Sequence, residues 1–376
     1  MKVVHFHNGK EGGVLSVIRN LLIYNQHETI ENHVIYTINK DLNNKFQLPA
    51  LEGAKTEQVF YYSPKWNFYY TCRKLYKLIP QDAIIIAHDW LELGMVSNLG
   101  LQHRVIQFLH GNYDYYYNLA EKHQRSVDCF ICVSASIMEN LTQRVGNKNI
   151  QYMRFPVTDI APFENNNTVS SLAFVGRCQK AKGYHLLPEI AKLLMEKGIK
   201  IKWEIFGPIE EDCINVSWPD ETDVTFHGLQ PHDEIIKLLP INDYFILPSN
   251  AEGMPVSLIE AMKAGLISFV NDIEGGIQEL VKDDNTGFKI KNNNIDGYCE
   301  RIAGMEANNA LKKEIKNNAI LLSNELFDPR INTFKIEKQY FELFRNHIKK
   351  SFKAYGSFLD SKYLPNWVTY KLRSIW

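Results

Sequence analysis

Several features are scarce in this 376-residue sequence, and each scarcity excludes a class of protein. No run of 18 or more apolar residues could span a bilayer, so we do not expect an integral membrane protein. The formal net charge is only −1, without the strong basic excess of nucleic-acid-binding domains, and we expect no nucleic-acid partner. Six cysteines are scattered in mostly apolar surroundings, which indicates reduced thiols rather than a disulfide framework.

Three further motifs are weak or missing. Cys129 and Cys132 form a C-x-x-C, but they lie in DCFICVS, a buried-strand pattern without a second metal-binding pair nearby. No G-x-G-x-x-G follows the first apolar run, which argues against an NAD-dependent dehydrogenase. The apolar stretch in MKVVHFHNGKEGG is too short for the hydrophobic region of a signal peptide, so we expect a cytoplasmic protein.

The chain is long enough for two α/β domains with separate cores, and two domains imply a cleft. Short apolar runs alternate with amphipathic segments up to about residue 290, as in βα units with parallel sheets. Predicted strands of a first domain are KVVHF, HVIYTI, QVFYY, AIIIAH, RVIQFLH, DCFICVS and QYMRF. After a polar linker, Pro156–Ser171, those of a second domain are SLAFVGR, KIKWEIFG, DVTFHGL, DYFILPS, LISFVND and GFKI. Beyond about residue 292 the pattern is helical only.

Two loops place glycine directly after a predicted strand, where free backbone N–H groups and a following helix favour an anion such as phosphate. Gly12 and Gly13 follow KVVHF, although a Gly-Gly pair alone is equally typical of a tight βα turn. In FVGRCQKAKG, Gly176 ends a strand, and Arg177 and Lys182 flank the next loop. An Arg fork with a Lys suits a pyrophosphate, while solvated surface cations are the alternative reading.

The segment LPSNAEGMPVSLIEAMKAG carries two carboxylates at the start of a predicted helix. Glu252 lies at the mouth of the loop, and Glu260 lies two turns further on. Pro255 fits the first turn of this helix and leaves free N–H groups at its start. The two carboxylates could therefore meet different hydroxyls of one extended ligand. Alternatively, Glu252 is only a favourable charge at a helix N-terminus and Glu260 a surface residue.

With its E-x7-E spacing, EGMPVSLIEAMKAG resembles the signature of retaining family-4 glycosyltransferases of the GT-B fold. FVGRCQKAKG, IFGP and NDIEGGIQELVKDDNTGF resemble further segments of that family, so the likeness is strong over about residues 170–290. In the first domain it rests on KEGGVLSVIRNL, IAHDW, FLHGN and CVSAS. The resemblance implies two Rossmann-like domains facing each other across a cleft. Residues 1–160 would form the acceptor side and 170–335 the nucleotide-sugar side, with residues 336–376 as C-terminal helices returning to the first domain.

The resemblance also implies roles for individual residues. Arg177 and Lys182 would bind the donor pyrophosphate and neutralise the leaving nucleotide. Glu260 would accept hydrogen bonds from ribose hydroxyls, Glu252 would hold the transferred sugar, and His110 would face the anomeric region. The Gly12-Gly13 loop would approach the phosphates and the acceptor, and Gly176 would bind the donor. The backbone amides of Gly253, Met254, Pro255, Val256 and Ser257 would cradle phosphate or sugar oxygens, although proline itself offers no N–H. His88 and Asp89 are candidates for the acceptor side.

No Asp-x-Asp occurs in the chain, so the metal-binding dyad of the other major glycosyltransferase fold is missing, and we expect no metal and no cofactor. The family implies retention of configuration by same-face attack on a nucleotide diphosphate sugar. Two departures, GLISFVND and MRFPVTD, leave the proposed donor residues unchanged. A nucleotide-sugar epimerase, a phosphorylase and a catalytically silent nucleotide-sugar-binding protein stay as alternatives.

Two stretches combine cations with aromatic rings despite the neutral net charge. YYSPKWNFYYTCRKLYKLIP carries Lys65, Trp66, Phe68, Tyr69, Arg73, Lys74 and Lys77. The last 28 residues carry Lys349, Lys350, Lys353, Lys362, Lys371 and Arg373 against Asp360 alone. Such stretches are suited to binding an anionic membrane surface. If the protein binds there, we expect its acceptor to be a lipid-linked glycan at the inner membrane face. The alternative is that the aromatics pack against helices and the lysines are merely solvated.

Overall fold

The computed structural model describes residues 1–42, 48, 50–146, 148–163, 168–345, 350, 352 and 357–375. The chain divides into two compact units, each built on one parallel sheet. The first unit comprises Met1–Lys10, Val17–Pro156 and Arg330–Trp376, and the second comprises Glu11–Ser16 and Val157–Pro329. Residues 164–167 of the predicted linker lie outside the described residues, as do Lys349 and Lys353.

The first unit contains a seven-stranded parallel sheet in the order β3-β2-β1-β4-β5-β6-β7. Its strands are β1 (Lys2–His7), β2 (Glu31–Asn39), β3 (Thr56–Tyr62), β4 (Ile84–Ala87), β5 (Val105–Leu109), β6 (Cys129–Cys132) and β7 (Ile150–Tyr152). The central strands are buried along their whole length because helices cover both faces of such a sheet. Strand order reverses between β1 and β4, and parallel α/β sheets bind ligands at such a switch point.

The helices of the first unit come from both ends of the chain. They are α1 (Gly13–Ile23), α2 (Phe68–Tyr76), α3 (Trp90–Leu99), α4 (Asp114–His123), α5 (Ala135–Val145), α12 (Pro329–Arg345) and α13 (Asn366–Ile375). The first turn of α1, up to Ser16, groups with the second unit. Ile336 and Tyr340 of α12 are buried, and Arg104 donates to the backbone oxygens of Leu343 and Phe344. The last helices therefore belong to the first unit.

The second unit contains a six-stranded parallel sheet in the order β10-β9-β8-β11-β12-β13. Its strands are β8 (Ser170–Val175), β9 (Ile201–Phe206), β10 (Val224–Gly228), β11 (Tyr244–Leu247), β12 (Ile267–Asn271) and β13 (Phe288–Ile290). Its helices are α6 (Leu187–Glu196), α7 (His232–Leu238), α8 (Val256–Lys263), α9 (Gly276–Leu280), α10 (Ile295–Glu306) and α11 (Asn309–Leu326). Large aromatic side chains fill its core, among them Trp203 and Tyr244.

All thirteen predicted strand segments are strands in the structure, and the segment after about residue 292 is helical. The fold class of two Rossmann-like domains with helices returning to the first is confirmed. Cys129 and Cys132 lie on β6 and are both buried; burial raises the pKa of each thiol to about 12. Among the described residues, we find no helix whose length and apolarity would suffice for a membrane span.

Candidate active site

An ion pair joins two of the predicted donor loops in the second unit. Gly176 follows β8, and Lys182 ends a short 3-10 turn in the loop after it. The ammonium Nζ of Lys182 donates to Oε1 of Glu252 at 2.6 Å. A backbone hydrogen bond, from Asn250 N to Ala181 O at 3.0 Å, fixes the same two loops. The structure thus brings together two charged residues that lie 70 positions apart in sequence.

Arg177 lies in the same loop as Lys182 but is exposed. Within the described part of the chain, its guanidinium forms no ion pair, whereas Lys182 is already paired with Glu252. Lys180 in this loop is exposed as well. An anion would therefore meet Arg177 and Lys180 directly, whereas it would have to compete with Glu252 for Lys182.

Helix α8 begins directly after the Glu252 loop. The prediction that Pro255 lies in its first turn is wrong: Pro255 is the N-cap residue and the helix starts at Val256. Val256 and Ser257 are partly exposed, whereas Gly253, Met254 and Pro255 are buried. The first N–H groups of a helix have no intrahelical acceptor, so the start of α8 retains the anion-binding character predicted for it.

Two glycine positions that the sequence analysis did not single out hold this loop in place. Gly275 has a φ of 120°, and an added Cβ would overlap the backbone oxygen of Glu252. At Gly276 an added Cβ would lie 2.5 Å from the sulfur of Met254 and 2.7 Å from Gly253 O. The segment NDIEGG therefore packs its backbone against the Glu252 loop. Its resemblance to a family segment was the only signal for this contact.

Glu260 is buried and paired. Its side chain on α8 is only 3% exposed, and its Oε1 lies 2.7 Å from Nε2 of His232, the first residue of α7. The alternative that Glu260 is a surface residue is therefore wrong. Sequence analysis did not identify His232, because a contact between a loop-end histidine and a helix 28 residues later leaves no local pattern.

The Gly12-Gly13 loop groups with the second unit rather than with the first sheet. An added Cβ at Gly13, the first residue of α1, would lie 3.1 Å from Cγ2 of Val256, whereas one at Gly12 would meet open space. Gly13 therefore lies beside the start of α8.

In the first unit, His110 follows β5 and contacts His88, which follows β4. Nδ1 of His88 lies 2.8 Å from Nε2 of His110. Burial, together with the neighbouring His7, lowers the pKa of His110 to about 3, and burial also holds the pKa of His88 well below its usual value. Both imidazoles are therefore neutral near neutral pH, so one must donate and the other accept.

The burial of His88 indicates which of the two imidazoles donates. Its other nitrogen, Nε2, is buried and makes no hydrogen bond to any described residue. An unpaired buried N–H costs more than an unpaired ring lone pair. We therefore assign the proton of His88 to Nδ1, which donates to Nε2 of His110 and leaves the proton of His110 on its own Nδ1.

The turn that carries His88 is fixed by a capping box at the start of α3. Oε1 of Glu92 accepts from the backbone N–H groups of His88 and Asp89 at 2.7 and 2.6 Å. Asp89 caps the helix and also accepts a hydrogen bond from the hydroxyl of Tyr115. Burial raises the pKa of Glu92 to about 8. The predicted acceptor-side pair His88-Asp89 is thus held rigidly next to His110.

Within the described ranges, no group of three or more His, Cys, Asp or Glu side chains is arranged to hold a metal ion. The Glu252 loop lies beside the ammonium group of Lys182 and the N–H groups at the start of α8, and Arg177 is exposed in the loop that carries Lys182. These groups are suited to an anionic ligand.

Comparison with known proteins shows which family and which fold the chain resembles. The sequence profile of the family "Glycosyl transferases group 1" matches residues 158–321. The chain is 31% identical over 152 residues to the putative colanic acid biosynthesis glycosyltransferase WcaL of Escherichia coli (strain K12), covering 38% of this chain and 37% of that protein. It is 34% identical over 155 residues to the Escherichia coli UDP-Gal:alpha-D-GlcNAc-diphosphoundecaprenol alpha-1,3-galactosyltransferase, covering 39% of this chain and 40% of that protein. The chain thus spans about two fifths of the length of these relatives.

Among solved structures, Anabaena Alr3699/HepE in complex with UDP-glucose superposes with a TM-score of 0.74 and 16% identity. The match covers 91% of this chain and all of that one, so the likeness in fold extends beyond the profile match into the first unit. Residues 158–321 therefore match the family "Glycosyl transferases group 1", and the chain has the GT-B fold.

Proposed function

We propose that this protein is a retaining, metal-independent glycosyltransferase that acts on a nucleotide diphosphate sugar in cell-envelope or exopolysaccharide synthesis. The observation that carries the proposal is the Lys182–Glu252 pair beside the start of α8. It combines a cation, a carboxylate and free helix N–H groups in one place. A nucleotide diphosphate sugar needs these three kinds of partner, for its phosphates and for its sugar hydroxyls.

Donor binding would rearrange the ion pair. Before binding, Lys182 and Glu252 neutralise each other at 2.6 Å. A pyrophosphate held by Arg177 and the α8 amides competes for Lys182, because phosphate oxygens carry more charge than one carboxylate. Glu252 is then free to accept hydrogen bonds from the sugar. In the absence of the donor, this pairing leaves neither buried charge without a partner.

In the transfer step, the bond from the anomeric carbon to the diphosphate breaks, and the acceptor oxygen attacks on the same face. The acceptor proton passes to the departing phosphate oxygen, and Arg177 and Lys182 neutralise the nucleotide diphosphate. In the first unit, His110 is neutral, and the proton on its Nδ1 makes it a hydrogen-bond donor. It does not act as a charged acid, because its pKa of about 3 keeps it unprotonated.

Retention and the class of acceptor are supported by a relative. The name of the Escherichia coli galactosyltransferase specifies an alpha-1,3 product and a GlcNAc-diphosphoundecaprenol acceptor. An alpha product is the anomer that retention gives from an α-linked nucleotide sugar. We therefore propose a lipid-linked glycan acceptor for this chain as well, reached at an anionic membrane surface on the cytoplasmic side.

The proposal is tested by a thermal-shift panel of UDP-, GDP-, ADP- and TDP-sugars, followed by transfer assays with the best donor. A bound donor stabilises the fold by mass action. Conversion of the donor without acceptor would identify an epimerase, and donor binding without hydrolysis or transfer would identify a silent binding protein. We expect activity to survive EDTA; a rate that collapses with chelator and returns with Mn²⁺ would contradict metal independence.

A further inference from the structure

The segment 357–375 is fastened to the first unit through its polar groups. Asn67, which precedes α2, donates its backbone N–H to Oδ1 of Asn366 at 2.8 Å. The side-chain amide of Asn67 donates to the backbone oxygens of Ser361 and Leu364. Arg373 binds both carboxylate oxygens of Asp360, at 3.0 and 2.9 Å, and the backbone oxygen of Trp66 at 2.7 Å. These bonds give the segment a fixed orientation.

Helix α13 turns its polar face inward, which is the reverse of an ordinary surface helix. Asn366, Thr369 and Arg373 lie on the inner face, where Thr369 is completely buried. Trp367 and Tyr370, three residues apart, share the outer face. Trp367 is 65% exposed, and the preceding turn adds Phe358 and Tyr363 at 80% and 83%. Apolar area that could have been buried is thus presented to the solvent.

Cations accompany these rings. Nζ of Lys362 lies 5.0 Å from the centre of the Tyr363 ring, and Nζ of Lys371 lies 5.8 Å from that of Trp367. The one carboxylate of the segment, Asp360, is neutralised by Arg373. Exposed cations also line the adjoining helix α2, where residues 63–81 contain no Asp or Glu: Arg73, Lys74 and the following Lys77.

The pairing of aromatic rings with lysines indicates whether this surface is suited to a protein partner or to a lipid bilayer. Protein interfaces are enriched in aromatics but depleted in lysine at their centres. The headgroup region of an anionic bilayer favours both, because Tyr and Trp rings settle at that level and ammonium groups meet lipid phosphates. A helix held rigidly by its polar face can lie flat in that region without first having to fold.

We propose that this C-terminal surface, formed by Phe358, Tyr363, Trp367 and Tyr370 with Lys362 and Lys371, docks the protein on an anionic lipid bilayer. The inference deepens the proposed function and rests on it for its purpose, since a lipid-linked acceptor lies at such a surface. The occupant is the lipid headgroup layer itself, with rings between the headgroups and lysines on the phosphates.

The test is co-sedimentation of the full chain with phosphatidylglycerol/phosphatidylcholine vesicles and with phosphatidylcholine alone. We expect binding to the anionic vesicles only, and loss of binding at high salt. Lys362→Gln/Lys371→Gln should weaken binding about 25-fold, since each cation contributes roughly fivefold. Trp367→Ala/Tyr370→Ala should weaken binding at least as much as the lysine variant does. The binding that remains should be more sensitive to salt, because it depends on the lysines alone.

Matched controls lie on other helices. Lys335→Gln/Lys338→Gln removes the same charge from α12, and Leu321→Ala removes a 69% exposed apolar side chain from α11; both should bind like the parent. Equal binding to both vesicle types, or equal loss in control and test variants, would overturn the proposal. Displacement by 10 mM inorganic phosphate at constant ionic strength would also overturn it, by revealing a site for free phosphate.

The failure of this inference is distinguishable from the failure of the proposed function. Every variant is also examined for stabilisation by the nucleotide sugar, which depends on the second unit and not on segment 357–375. Retained donor stabilisation with no vesicle binding refutes the docking surface alone. Vesicle binding without donor stabilisation refutes the glycosyltransferase and leaves the surface in place.

Discussion

The ammonium group of Lys182 lies 2.6 Å from Oε1 of Glu252, so each neutralises the other where we propose that the donor binds. Replacing Lys182 by Ala leaves Glu252 buried without its partner and removes a cation from the pyrophosphate. We expect kcat/KM to fall about 10²- to 10³-fold, the scale for losing one group that stabilises charge in a transition state. Steady-state kinetics with the best donor measure the effect.

The control for this variant is Lys180→Ala, in the same short turn but exposed. It removes the same charge from the same loop without touching Glu252, and we expect less than a threefold change. If both variants lost activity equally, the loop would act only through its overall charge.

The Glu260–His232 pair predicts coupling between two residues that share one hydrogen bond at 2.7 Å. Glu260→Ala should abolish stabilisation by the nucleotide sugar and should also lower the melting temperature, because His232 loses a buried partner. His232→Ala should weaken donor binding less, since the carboxylate is retained but no longer oriented. A double-mutant cycle on donor affinity measures the coupling, and strictly additive effects would show that the pair is not a unit.

Replacing Gly183, which follows Lys182, should strain the backbone of the loop. The φ of Gly183 is 72°, and an added Cβ would overlap the backbone oxygen of Pro248. Gly183→Ala should therefore destabilise the protein by about 1–3 kcal/mol and reduce donor affinity, because the loop must shift. Gly304 in α10 has no atom within 4 Å of an added Cβ, and Gly304→Ala should stabilise by about 0.5–1 kcal/mol. Denaturant unfolding of both variants compares them; similar changes would contradict the steric argument.

The first unit should lose stability in acid before the second. Burial lowers the pKa of seven of its histidines: His5, His7, His33, His88, His103, His110 and His123. The ordinary pKa of a histidine is 6.5. Between about pH 6.5 and pH 4, these histidines therefore bind protons in the unfolded chain more readily than in the folded unit. Stability therefore falls as the pH falls through that window, by about 1.4 kcal/mol per pH unit for each uncancelled proton.

Two carboxyl groups oppose this acid effect. Burial raises the pKa of Glu92 to about 8 and that of Glu337 to about 7, so the folded unit holds their protons more readily than the unfolded chain. Hydrogen exchange of each unit at pH 7 and pH 5 measures the balance. His5→Gln should flatten the response of the first unit, and parallel loss of protection in both units would contradict the prediction.

The sequence predicted the strands and their division between two sheets because each is a short apolar run bounded by turns, a local signal. It also indicated Lys182, from the loop that follows β8, and the pair Glu252 and Glu260, whose spacing follows from one loop and one helix. It could not indicate that His88 holds His110 or that His232 holds Glu260, since those contacts join the ends of separate elements. Gly275 and Gly276 were likewise visible only through a family resemblance, because their role depends on a backbone 22 to 23 residues earlier in the chain.

Helix α12 belongs to the unit whose first strand begins at Lys2, and its Glu337 accepts from the backbone N–H of Gln26, 311 residues away. During synthesis, the first sheet is therefore complete in sequence long before the helix that closes it has been made. The second unit, apart from residues 11–16, is one continuous stretch and can gather its contacts earlier. The chain of the second unit is thus complete before that of the first, although the first unit begins earlier, and the strands of the first sheet are all made before α12 can pack against them.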